Sequence, residues 1–437
     1  MKRFLEVCAG IDGAKREFAI SVLRGTAQEE PSCETKSYGT TVPELRKCLS
    51  WLLENNCHTV VLESTGSYWI PIWNVLSEEV AVIVVNAEHV KARRGEKTDC
   101  IDSRRLAERL RVGDIRGSFV PTAAIMELRD LTRRRKRILG QSSSERNRIQ
   151  KLLERANVKI GNIVSDVFGV SGQRILMMLL DNPTATPEDM AQLAKGRLRN
   201  KLPEIEEALR DHRLDEHIRW MIRQSLDHLV FLEKQLAELD EQTHQKLQPF
   251  EQEYELLQTI PGVGPETAAV IIAETGGNMA QFPTERNLTS WAGVCPGNNS
   301  SAGKQKSGRI KKANKWLLAA LVQAGWGAVR KKGSIFKKRF YRQAQHRGRQ
   351  KAVIATARAI LVVVWHVLSR MTPYREAPNL EMAKREHSKK VLHHLKKLRQ
   401  LGIAVDGIEL PEDVLKEAAV PPFHQTHKLG VLGIHTR

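Results

Sequence analysis

Across the 90 residues from Arg286 to Arg375 the chain has no aspartate and no glutamate. The same stretch carries 20 Lys or Arg. That leaves 49 of the 69 basic residues against all 50 acidic ones, so the formal charge of +19 resides in this one segment. A field of that density, empty of carboxylates, attracts polyanions, and the common polyanion is nucleic acid. Charge reports binding only. Chemistry has to come from other groups.

Further shortages narrow the class. The six cysteines, Cys8, Cys33, Cys48, Cys57, Cys100 and Cys295, include no CxxC pair. This argues against a zinc site and a disulfide framework, and fits a reducing cytoplasm. The opening MKRFLEVCAGID has a basic tip, but Glu6 and Asp12 interrupt any apolar stretch of signal-peptide length. The most apolar run, Ala352 to Leu368, contains Arg358 and His366 and falls short of the ~20 residues of a membrane span. It predicts a buried helix and no membrane partner. What is present is 437 residues with an ordinary 41% hydrophobic content, enough for two or three domains with cores of their own.

Residues 1 to about 120 alternate strand and helix signals. Phe4 to Ile11 and Phe18 to Leu23 read as strands joined by a turn through Gly13-Ala14-Lys15, with Lys36 to Thr40 as a third. Val42 to Asn55 has helical spacing, Thr59 to Leu62 and Val80 to Val85 read as strands, and Asp102 to Val112 as a helix. The order predicts an α/β domain with a mixed sheet. From 123 to 255 the chain turns charged and helical, and Leu226, Leu229, Leu232, Leu236 and Leu239 recur at threes and fours. Two readings stand: long helices packed within the chain, or a coiled coil that makes the protein multimeric. Residues 256–371 read as helical and carry the basic field. The tail, 372–437, mixes a Lys/His-rich helix with a Pro421-Pro422 break and carries no chemistry; His424 and His427 read as solvated.

The candidate chemistry lies among carboxylates. Asp12 ends an apolar strand in CAGIDGAK, and Glu63 ends another in VVLESTG. An acid there is costly unless paired, protonated or bound to a cation. KTDCID supplies Asp99 and Asp102, three apart and able to share one side of a helical turn. Each has an ordinary alternative, as a turn residue, a helix cap or strand-end surface. Together they can converge on one sheet edge. Hard oxygen ligands at such an edge hold Mg2+, and two ions about 4 Å apart clamp the attacking and leaving oxygens of a phosphodiester. That is the logic of an RNase H-like nucleotidyl-transfer fold.

Two further segments bear on phosphate. In TIPGVGPETAAVIIAE, Gly262 and Gly264 precede a helix that starts at Pro265, and exposed backbone amides at such a start hold phosphate without reading sequence. A plain interhelical turn looks the same. Then Ser300 and Ser301 lie in a Gly/Asn-rich loop just before Lys304, Lys306, Arg309, Lys311 and Lys312. A cationic setting lowers the cost of alkoxide formation and of charge on an attacked phosphate. The alternative is a loop that binds phosphate and does no chemistry.

GIDGAK with Asp12, VLESTG with Glu63, and KTDCID with Asp99 and Asp102 resemble the four-acid signature of the DEDD transposases of bacterial insertion sequences, relatives of the pilin-gene DNA invertases. IPGVGPETAAVI and WAGVCPGNNSSAGKQKSGRIKKANKWL resemble the second block of the same family. The likeness spans about 1–120 and 256–370 in order; the middle and the tail match by position only. The resemblance implies a RuvC-like, RNase H-like α/β domain over 1–122 that binds Mg2+ and a long helical or coiled-coil connector over 123–255. It also implies a mainly α transposase domain over 256–371, with a helix-hairpin-helix and a nucleophilic serine, and a tail over 372–437.

By motif that serine is Ser301, which precedes Ala302-Gly303; relatives carry Ser-Gly directly, so SSAG departs and leaves Ser300 as a second candidate. The family implies a homo-tetramer built from dimers, in which acids of one subunit complete the serine site of another. For some members it implies a structured guide (bridge) RNA that pairs with target and donor DNA. The expected function is excision and insertion of a mobile element in the cytoplasm, at the nucleoid, through a phosphoserine–DNA link. A runner-up is a RuvC-like metal-dependent junction resolvase or nuclease, in which water attacks and the serine loop only binds. A third reading, a non-catalytic architectural protein, leaves the four acids idle.

Overall fold

Short apolar runs broken by turns favour strands over long helices at the start of the chain. They form a sheet in the computed structural model, which describes residues 4–13, 15–64, 66–86, 99–115, 117–296, 299–301, 304–307, 310, 314–376, 391–395, 397–398 and 400–402. The chain divides into two compact units, Met1–Lys246 with Ala273–Gln281, and Leu247–Ile272 with Phe282–Arg437.

The first unit opens with five strands: β1 (Val7–Gly13), β2 (Glu17–Arg24), β3 (Ser32–Gly39), β4 (Thr59–Glu63) and β5 (Ala81–Val85). Their order is β3-β2-β1-β4-β5. β2 runs antiparallel to β1 and β3, while β4 runs parallel to β1 and β5. Alternation along β1 feeds two cores. Ala9 and Ile11 pack with Leu62, Leu45, Leu52 and Ile72 under α1 (Val42–Glu54) and α2 (Trp69–Leu76). Cys8 packs with Leu23, Val61, Val85, Leu106, Ala107 and Leu110 under α3 (Asp99–Arg111). Side chains as buried as Ile11 and Leu62, both 0% exposed, each stabilise the fold by about 1.5–3 kcal/mol.

Three starts differ clearly from the sequence expectation, β1 beginning at Val7 rather than Phe4. β3 starts at Ser32 rather than Lys36, because the whole segment pairs in register with β2. α3 starts at Asp99 rather than Asp102, which puts both acids in its first turn. Carboxylates are stabilised there by the exposed amides and the positive end of the helix dipole.

The rest of this unit is helical. α4 (Ala123–Arg155) and α8 (Glu216–Leu247) are joined by a segment containing α5 (Val170–Asp181), α6 (Pro187–Ala191) and α7 (Leu202–Leu209). Ion pairs link Lys246 to Glu127 at 2.5 Å, Arg135 to Asp240 at 2.5 Å and Arg146 to Glu233 at 3.6 Å. Numbers that rise along one helix fall along the other, so the two long helices are antiparallel. α4 of the same chain thus lies alongside the leucine stripe, in which Leu229 and Leu232 are buried and Leu226, Leu236 and Leu239 half-buried. The intervening segment has its own core, built on Ile149, Leu153, Ile175, Leu179, Ile205 and Ile222.

The second unit is mainly helical: α9 (Glu251–Gln258), the start of α10 (Pro265–Thr275), α11 (Glu285–Trp291), α12 (Lys315–Arg330), α13 (Ile335–Arg347) and α14 (Arg349–Arg370). The apolar run expected as a buried helix lies in α14, where Ala357, Ile360, Leu361 and Val364 are fully buried. α14 has the length and composition of a membrane span, but 56% of its apolar window is buried inside the protein. Gly325 of α12 lets Val353 of α14 approach closely, since a Cβ there would stand 3.2 Å from the valine methyl. A two-stranded ribbon, β6 (Asn299–Ser301) and β7 (Lys304–Ser307), precedes α12.

Candidate functional site

The order β3-β2-β1-β4-β5 means that the chain builds outward from β1 in one direction and then returns to build from β4 in the other. At such a switch point two parallel strands end beside each other with no crossover covering them, and ligands bind there, outside the carboxyl ends. Asp12 lies one residue from the end of β1, and Glu63 is the last residue of β4. The register pairs Ala9 with Val60, Gly10 with Val61 and Ile11 with Leu62, so Asp12 and Glu63 follow at the same level. Neighbouring strands stand about 4.8 Å apart. Both acids share the face of Cys8 and Val61, the face that α3 covers. Each is half-buried.

α3 runs antiparallel to β1. Leu5 N donates to Arg111 O at 3.1 Å, and Cys8 Sγ to Ala107 O at 3.5 Å. Gly10 lies under Ser103, Leu106 and Ala107, and a Cβ on it would collide with all three. The first turn of α3 therefore faces the carboxyl end of β1, and it carries Asp99 and Asp102. The Asp102 side chain is 15% exposed and stands 3.7 Å from Arg105. Asp99 is exposed. The fold thus brings the four sequence-predicted acids to one sheet edge. Carboxylate oxygens are hard donors, of the kind that suits a divalent cation. Among the described residues, however, no three such side chains approach closely enough to hold an ion.

The serine segment is not the loop that its Gly/Asn content suggested. Ser301 pairs with Lys304 and Ser300 with Gln305, with a register irregularity between Asn299 and Ser300 and a further bridge from Pro296 to Ile310. The segments NSS and KQKS are polar at every position, and two residues, Ala302 and Gly303, separate them in the sequence. Ser301 ends β6 at the turn of the hairpin, while Ser300 lies one residue inside the ladder. Lys304 and Lys306 belong to β7. Arg309, Lys311 and Lys312 lie outside the described residues.

The two glycines of the turn before α10 differ. Gly262 has φ +87°, a left-handed conformation that disfavours other residues, and a Cβ on it would strike the Ala324 carbonyl and the Ala328 amide. Close packing against α12 accounts for it. Gly264 has open space around it, and its carbonyl accepts from Ala268 N at 2.9 Å, so it starts α10 with room for a ligand. Cysteine contributes no nucleophile to the sheet core: burial pushes the Cys8 and Cys48 thiols up to about 12.

Comparison with known proteins extends these observations. Residues 9–158 match a transposase family of DEDD type associated with IS110 elements, and residues 254–341 match the family described as Transposase IS116/IS110/IS902 family. The chain is 25% identical over 323 residues to a probable family 20 transposase of Pseudomonas aeruginosa, covering 72% of this chain and 85% of that protein. It is 32% identical over 123 residues to the transposase for insertion sequence element IS1111A of Coxiella burnetii, covering 27% of this chain and 34% of that one. It is also similar to the insertion element IS900 uncharacterized 42 kDa protein of Mycobacterium paratuberculosis, 23% identical over 85% of this chain and 98% of the relative.

Proposed function

We propose that this chain, which belongs to the IS110-type DEDD transposases of insertion sequences and is a DNA transposase, cleaves and rejoins DNA through a covalent serine–DNA intermediate at Ser301. The observation that carries the reading is the β1–β4 register, which sets Asp12 beside Glu63 at the switch point with the first turn of α3 opposite. A mixed sheet with acids at its carboxyl edge also supports a RuvC-like fold for the first domain. Asp12, Glu63, Asp99 and Asp102 would hold Mg2+. Bound there, a divalent ion supplies charge that polarises the scissile phosphate.

In this reading the Ser301 hydroxyl loses its proton and its Oγ bonds to phosphorus. The bond to one deoxyribose oxygen breaks, and that oxygen leaves as a hydroxyl. A hydroxyl from the other DNA end then attacks the same phosphorus and displaces Oγ. The diester energy is kept in the serine link, so no nucleoside triphosphate is needed. Lys304, Lys306, Arg309, Lys311 and Lys312 neutralise the strand that reaches the serine, and the open start of α10 at Gly264, with the turn at Gly262, takes a backbone phosphate.

The same reading covers partners: element ends and target DNA, a structured guide RNA drawn to the carboxylate-free field, and a tetramer assembled from dimers in which one subunit's acids serve another's serine. It sets the protein in the cytoplasm at the nucleoid. Copurification of a specific RNA, lost on nuclease treatment together with target choice, tests the guide. The central test is Ser301→Ala with an element-end substrate. The variant should bind DNA as the wild type does and give no protein–DNA adduct on a denaturing gel. An adduct that persists moves the nucleophile elsewhere, Ser300 first. Free hydrolysed ends from the wild type would instead establish the resolvase-type reaction, with water attacking at the same acids.

A further inference from the structure

The second unit holds a cavity of about 510 Å³ between α13 and α14, apart from the serine hairpin in sequence. Its cationic wall is Lys338, Arg339 and Arg342 of α13 and Arg358 of α14. Spacings of one and four on α13 bring three charges to one side of the helix. Its apolar floor is Val362 and Val363, one turn beyond Arg358 and Ala359. Among the described residues, none in this lining is acidic. Glu376 does come near, but its carboxylate accepts from the Ile335 amide at 2.6 Å and so lies at the N-terminus of α13.

The remaining wall is aromatic and fixed from behind. Tyr374 stacks on the buried Phe336, with ring centroids 6.2 Å apart and planes at 28°. Its backbone amide donates to Thr259 Oγ1 at 2.9 Å, which ties the segment after α14 to the end of α9. A ring held in this way is a platform that costs little to order when a second flat group stacks on it.

We infer that this cavity takes a single unpaired nucleotide of a nucleic-acid strand, its base against Tyr374 and its phosphates against Arg339, Arg342 and Arg358. The volume falls within the ~300–1,000 Å³ usual for pockets that enclose small ligands. A duplex is too wide to enter, since its major groove alone spans about 12 Å. One base with its sugar and phosphate fits. The cations do not stop at the rim: the segment 286–375 carries 20 of them with no carboxylate, so phosphates on either side of the captured nucleotide meet positive charge as well. A free nucleotide leaves that surround unused. The inference rests on the chain acting on nucleic acid, and does not depend on the chemistry at Ser301.

Fluorescence anisotropy with the full chain tests it, using a labelled single-stranded DNA of about 20 nucleotides, the RNA of the same sequence, and the blunt DNA duplex. Tyr374→Ala should weaken single-strand binding about 10-fold while changing duplex binding less than about 2-fold. Tyr374→Phe, which keeps the ring, should bind as the wild type does. Val363→Trp, which fills the floor, should reproduce the selective loss, and far-UV circular dichroism shows that each variant is folded. The DNA and RNA arms name the source of the strand: the arm with the larger loss is the one the pocket serves. Equal losses on single strand and duplex would reduce the site to general electrostatics and overturn the proposal. So would no loss at all, or a mononucleotide that binds as tightly as the strand. Ser301→Ala and Asp12→Asn should leave the strand-over-duplex difference intact, so failure of the transfer chemistry is distinguishable from failure of the pocket.

Discussion

Asp12 and Glu63 are held by strands buried under helices on both faces, whereas Ser301 ends a three-residue strand that, among the described residues, belongs to a two-stranded ribbon. The contrast fits what each region would have to do in the proposed reaction. Oxygen ligands of a divalent ion must be set to within about 0.5 Å, and only a backbone fixed by a sheet register and a packed helix supplies that. A short ribbon is marginally stable by itself, and DNA contacts can order it on binding. Phosphate attraction falls off slowly with distance, so a field of cations tolerates imprecise geometry that an ion site does not. Acid chemistry is therefore expected to be sensitive to small packing changes, and nucleic-acid affinity to charge count.

The largest expected effect comes from Asp12→Asn. Loss of one ligand charge should lower strand cleavage by about 1,000-fold or more, as removal of several kcal/mol of charge stabilisation implies. DNA affinity in gel shift should stay within about 2-fold. A readout independent of activity is thermal stability: Mg2+ at 100 times its dissociation constant stabilises the binding-competent state by about 2.7 kcal/mol, and that gain should vanish in the variant. Retention of the gain would remove Asp12 from the ion.

Gly10→Ala touches no acid and should still damage the acid edge. A methyl there would strike Ser103, Leu106 and Ala107, so α3 must lift from β1. Overpacking of this kind costs about 1–3 kcal/mol. Because the first turn of α3 moves with the helix, cleavage should fall by more than the loss of folded protein explains, again with affinity for DNA unchanged. If activity simply tracks the folded fraction, the placement of Asp99 and Asp102 is not critical.

The sequence made the α/β sheet and its acids legible for a physical reason: strands buried on both faces read as short apolar runs, and an acid at the end of one is conspicuous. The α3 start was misplaced by three residues because Asp99 and Asp102 read as helix-capping residues as readily as first-turn residues. Which helix lies along the leucine stripe was open, since 3.6-residue periodicity does not say where the partner lies; the ion pairs of Arg135 with Asp240 and Lys246 with Glu127 set α4 beside α8 within the chain. The compact core between α4 and α8 had left no motif at all. The serine hairpin was hidden because polar residues on both faces remove the alternation that marks a strand. The basic field was evident, yet its cavity was not: Arg342 and Arg358 are 16 positions apart, and only the α13–α14 packing brings them to one wall. Val362 and Val363, which follow Arg358 by four and five residues, carried the available hint.

On the cationic side single changes should be small and additive. Lys306 belongs to β7 beside the serine strand. Each phosphate contact made by a cation releases about 0.9 of a counterion from duplex DNA. Lys306→Ala should therefore reduce the slope of log affinity against log salt by about 0.9, which at 0.15 M salt corresponds to a loss of roughly 5-fold. The Mg2+-dependent rise in thermal stability should be untouched, because the acids lie on a separate sheet edge. Loss of affinity with an unchanged slope would mean that Lys306 supports the ribbon itself and makes no backbone contact. A loss of the Mg2+ effect in this variant would break the division between a fixed acid edge and a tolerant cationic surface, since one side chain would then serve both.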